Sequence, residues 1–132
     1  MTVLGDGKIG MGTTAPNCTL HVAGAFAASG PSEAHVTFAD VDDSPSVATG
    51  NVFVSGAATE TINSFDGGIV GQFIHVYSNA AITYHPSAGN LKCGTTAILT
   101  ASGDVTSWIK FANDWHLVSW VDQSIDLSTG GF

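Results

Sequence analysis

The chain has 132 residues, with only three Lys and Arg against eleven Asp and Glu, a formal net charge of -8, and 11% charged residues against roughly 25% in an average soluble protein. Three lysines and no arginine cannot neutralise a phosphate backbone, so nucleic-acid binding is excluded, and the acidic balance argues equally against docking on anionic lipid. No apolar run approaches the ~18 residues that cross a bilayer, and the start, Met1 to Asp6, lacks the basic and apolar regions of a signal peptide, so a cytoplasmically made protein of one small domain is expected.

Helix periodicity is absent, and the apolar residues instead alternate or come in short β-branched groups bounded by Gly, Asn and Ser. Residues 1–23 hold the small apolar pieces Val3-Leu4, Ile9, Met11 and Leu20-His21-Val22, punctuated by Gly5, Gly7, Gly10, Gly12 and Pro16. These pieces are too short for a core of their own, so the segment reads as an extended Gly-rich arm that borrows its burial from another surface. Residues 24–34 read as a connector. A strand at His35 to Phe38 and an acidic turn at Asp40, Asp42 and Asp43 follow, then strands at 51–55 and 60–62.

The alternation is clearest in the second half. Gln72 to Tyr77 and Ala81 to His85 read as strands, and Leu91 to Cys93 and Ala97 to Thr100 continue the series. Ser107 to Phe111 and Trp115 to Trp120, joined through Ala112-Asn113-Asp114, form the best hairpin. In a regular strand Trp115 and Trp120 fall on opposite faces. Residues 35–122 therefore read as one all-β module with a β-sandwich or jelly-roll-like core, and 123–132 as a tail whose Phe132 could dock on a neighbour. Cys18 and Cys93 read as two buried free thiols.

Two stretches resemble bacteriophage fibre sequence. Gly7-Lys8-Ile9-Gly10-Met11-Gly12-Thr13, closing with Leu20-His21-Val22, is similar to a segment common in phage tail fibres and tailspikes. Asp66-Gly67-Gly68-Ile69-Val70-Gly71-Gln72, Gly89-Asn90-Leu91, Gly103-Asp104 and Asn113-Asp114-Trp115 resemble the β-module at the ends of such proteins. Together they cover about two-thirds of the chain, and residues 24–60 match nothing. The resemblance marks Gly67, Gly68, Gly71, Gln72, Asn90, Asp104 and Trp115 as module residues. It implies a homotrimer, with Ile9, Met11, Leu20 and Val22 making attachment or trimer contacts.

Two roles follow from that resemblance. One is a small trimeric decoration or cement protein on the outside of a phage capsid, with the major capsid protein or other virion proteins as partners. The Met-Thr start and short length fit a complete gene product of this kind. The other is a tail fibre or short tailspike that recognises host surface polysaccharide, with Tyr77, Tyr84, Trp108 and Trp120 as glycan-stacking rings. No catalytic residue is expected: Glu33 and Glu60 lie in connector-like sequence, and no Ser-His-Asp set is visible. No cofactor or metal is expected either. The five histidines include no His-x-His, and the Asp40–Asp43 turn lacks the glycine and terminal glutamate of a calcium loop.

Overall fold

Twelve strands, and no helix among the described residues, make up the computed structural model of the chain, which describes residues 1–24 and 35–123. The all-β class is as expected. The connector from residue 25 to 34 and the tail from 124 to 132 lie outside the described residues.

Strands β1 (Thr2–Val3), β2 (Ile9–Met11) and β3 (Leu20–Val22) form a sheet in the order β1-β2-β3, the first pair antiparallel and the second parallel. The presumed extended arm is thus locally folded, although Val3, Met11 and Leu20 remain exposed. Strands this short bury little of themselves, so the segment keeps the unpartnered apolar side chains inferred from its composition.

The remaining strands make two sheets. β4 (Val36–Thr37), β5 (Val52–Val54), β7 (Phe73–Tyr77), β9 (Leu91–Lys92), β11 (Val105–Phe111) and β12 (Asp114–Val121) build a six-stranded sheet in the order β4-β5-β7-β11-β12-β9. β6 (Glu60–Ile62), β8 (Ile82–Tyr84) and β10 (Ile98–Thr100) build a three-stranded one in the order β10-β8-β6. Antiparallel pairs run from β7 through β11 to β12, and parallel pairs lie outside them, β4 on β5, β5 on β7 and β9 on β12.

One core serves both sheets. Phe53, Ile74, Val76, Trp108 and Trp115 come from the larger sheet, and Ile62, Ile82 and Tyr84 from the smaller. At its centre stands Phe65, from the loop after β6, whose ring meets Trp108 edge-on at 5.4 Å and Trp115 at 5.9 Å. Edge-to-face pairs set the positive rim of one ring against the negative face of another, which fixes ring orientation as well as burying area. Strand β7 shows why the sequence folds this way: Ile74 and Val76 are buried while Phe73, His75 and Tyr77 are exposed, the period-two pattern of a half-buried strand.

The hairpin differs in two respects from the sequence reading. Its turn is the pair Ala112-Asn113, with Phe111 opposite Asp114, so Asp114 already belongs to β12. A bulge then interrupts the β11–β12 register: Ser107 faces Ser119 while Trp108 faces Leu117, which leaves Val118 as the extra residue. Beyond the bulge Trp120 lies opposite the buried Thr106. Directly opposed residues share a face, so Trp120 is on the same face as Trp115 rather than the opposite one.

Candidate interaction surface

The residues marked by the motif hold the fold together. Gln72 donates from Nε2 to the carbonyls of Val47 (2.9 Å) and Gly50 (2.7 Å) and accepts from the Ile69 amide at Oε1, tying the turn before β7 to the loop before β5. Asn90 binds both backbone groups of Phe65, donating to its carbonyl at 2.9 Å and accepting from its amide at 3.0 Å, which positions the central ring of the core. Gly68 lies so close to Trp115 that a Cβ there would stand 2.6 Å from the ring, and its φ of +73° also favours glycine. Beside it, Lys110 passes over the Trp115 ring and donates to the carbonyls of Gly67 and Gly68. Trp115 is fully buried, and Gly71, at φ +86°, turns the chain into β7.

Asp104 is the most connected of them. It is buried, and its carboxylate accepts from the amides of Ala101 (2.9 Å) and Gln123 (2.8 Å) and from the indole N–H of Trp120 (3.3 Å). One side chain thus closes the turn before β11 and fastens the far end of β12. These residues are structural, and none of them presents a free group to a ligand.

The four rings considered for glycan stacking do not converge. Tyr84 and Trp108 have no exposed surface and are linked inside the core: the Trp108 indole donates to Thr106, whose hydroxyl donates to the Tyr84 oxygen. That placement is a correction to their reading as stacking residues. Tyr77 and Trp120 are partly exposed but lie on opposite faces of the six-stranded sheet, since Tyr77 opposes Val105 while Trp120 opposes Thr106. Among the described residues no group of three or more His, Cys, Asp or Glu is arranged to hold a metal ion. Cys18 is exposed rather than buried, and Cys93 is intermediate, its thiol pKa raised by burial.

What the fold does assemble is a broad face. The side of the six-stranded sheet turned away from the core carries Val52 and Val54 from β5, Phe73 and Tyr77 from β7, and Ile109 and Phe111 from β11. Phe73 is 50% exposed and Phe111 53%. In a chain of net charge -8 this face holds one carboxylate on its strands, Asp114, which is paired with Lys92 at 3.5 Å. His75 bonds Ser107 at 2.8 Å across β7 and β11, and His116 stacks edge-on with Phe111. Among the described residues no carboxylate is bonded to the Ser107–His75 pair, which lies on an open sheet. The alternation in β7 and β11 is legible in the sequence, but the joining of their outward residues into one surface is not, because strand neighbours are set by long-range pairing.

A groove of about 670 Å³ adjoins this face, between Ala48–Asn51 and Ile69–Phe73. Its central amide, Gln72, is already bonded on both sides, so the groove adds apolar rim at Ile69 and Val70 rather than a polar recognition group. No protein-family model and no curated protein sequence matches this chain.

Proposed function

We propose that this chain is a structural protein of a bacteriophage virion: a small homotrimeric decoration or cement protein that binds the outside of the capsid and stabilises it. The carrying observation is the outward face of the six-stranded sheet, apolar and with no unpaired carboxylate on its strands, in a chain of net charge -8. Chains this acidic repel one another, and they associate with least electrostatic cost where apolar area is buried and no charge is stranded. The reading rests also on the resemblance of residues 7–22 and 66–115 to phage fibre modules, and on a core shared between two sheets, which suits a β-sandwich of jelly-roll type. Residues 1–23, with Ile9, Met11, Leu20 and Val22 on short strands, are the attachment arm. They meet the major capsid protein or another virion protein, on the virion exterior.

The scattered placement of Tyr77, Tyr84, Trp108 and Trp120 favours this role over polysaccharide recognition by a tail fibre or tailspike. The test is the copy number of the chain relative to the major capsid protein in purified virions, by quantitative mass spectrometry. A ratio near one per capsid subunit is the expected result. A handful of copies per particle overturns decoration and points to the tail, and no copies at all overturns both virion roles.

A further inference from the structure

Glu60 opens β6 and is 4% exposed, yet among the described residues neither carboxylate oxygen has a well-formed hydrogen-bond partner. An ionised carboxylate in that position is costly, since it has left water and the backbone of Asp42 and Val41 offsets that loss only in part. Its surroundings make the cost larger. The segment from residue 39 to 45 crosses this end of β6 and brings Asp40 and Asp42 toward Glu60, with Val41 between them held at φ +59°, a conformation unfavourable for a β-branched residue. From β8, Tyr84 also feels the Glu60 charge. Asp43 lines the cleft of about 410 Å³ beside Glu60. Among the described residues no cation acts on Glu60.

The same segment is fastened to β6 and its flanks by a few hydrogen bonds. The Asp43 carbonyl accepts from the amides of Asn63 (2.8 Å) and Ser64 (3.3 Å), and Asp40 Oδ1 accepts from the Ala58 amide at 3.2 Å. These bonds hold Asp40 and Asp42 near the buried carboxyl, so the segment can stay closed at least cost only while that carboxyl is neutral.

We propose that Glu60 is a proton-operated latch: protonated, it lets the segment from 39 to 45 close on β6, and ionised, it favours release of that segment, which returns the buried charge to water. Burial raises the Glu60 pKa above the ordinary glutamate value, Asp40 and Asp42 raise it further, and the backbone of Asp42 and Val41 opposes the rise. The folded chain therefore holds this proton more tightly than the unfolded chain does. The contribution to stability is fully present below the unfolded pKa, falls as pH rises toward the folded pKa, and is flat above it. Acid strengthens this closure, the reverse of the behaviour of a salt-bridged carboxylate.

The experiment compares the full-length wild type with Glu60→Gln, which keeps the shape and removes the charge, and with Asp42→Asn. Thermal unfolding is followed from pH 4 to pH 8, with hydrogen exchange at Ala58, Asn63 and Ser64 referenced to amides of the β11–β12 hairpin. The expected result is that Glu60→Gln melts with the wild type at pH 4 and roughly 5 °C above it at pH 8. Asp42→Asn should fall between them, and the three reporter amides should lose protection with rising pH only where Glu60 is present. Parallel melting curves for wild type and Glu60→Gln overturn the latch, as does protection of those amides that is unchanged relative to the hairpin.

Discussion

Asp104 shows how one side chain can explain a motif. The Gly103-Asp104 pair resembles a fibre-module turn, and its physical role is to supply one carboxylate to two backbone amides and an indole. Asp104→Ala removes all three acceptor contacts and leaves the Ala101 and Gln123 amides without a partner, which should cost about 2–4 kcal/mol. Asp104→Asn retains one carbonyl oxygen and should lose less than half as much. Urea unfolding followed by tryptophan fluorescence checks both values, since Trp120 is one of the three reporters. Other single residues were less visible. Phe65 centres the core from a loop, where no periodicity singles it out, and Glu60 sits in connector-like sequence that gives no sign of its burial. A side chain's surroundings are set by segments far away in the chain, and those leave no local trace.

The hairpin of β11 and β12 was legible because its two strands are adjacent and rich in aromatic and β-branched residues. Its details were not. Ala112 adopts φ +50° in the turn, where glycine is the favoured residue. Ala112→Gly should therefore stabilise the protein by about 0.5–1 kcal/mol, the relief of left-handed strain exceeding the added freedom of the unfolded chain, as a shift in urea midpoint would show. The bulge at Val118 carries no glycine to announce it, yet it determines which face Trp120 occupies and so brings the indole to Asp104. The short strands β4, β5 and β6 fall close to their expected places, whereas their parallel partners could not be read from local pattern. A strand of two or three residues encodes its own extended backbone but not its neighbour.

At the scale of the whole molecule, the outward sheet face carries the association proposed for it. Ile109 lies on that face, opposite His116 on one side and Phe73 on the other. Ile109→Lys places a cation there without touching the buried core. In light scattering the wild type should give a mass of three times 13.5 kDa and the variant that of a single chain, with unchanged circular dichroism. A wild type that is monomeric at every concentration removes the support this face lends to the proposal. The all-β class was legible from composition and alternation, while the face itself required the strand order.

That strand order also governs how the chain can be made. The central strands of the large sheet, β7, β11 and β12, follow β4 and β5 in the chain, and β9 must wait for β12 before it has a partner. A polypeptide emerging from the ribosome N-terminus first therefore delivers its sheet edges before its sheet centre. The hairpin of β11 and β12 closes a short loop and is the cheapest part to form, but it arrives last. Until residue 121 is free, β4, β5 and β7 can pair with one another, but β9 has no partner and β7 keeps an open edge on the side that β11 will take, and such edges need protection from other nascent chains. The large sheet is thus completed only when the hairpin adds to β7 and gives β9 its partner.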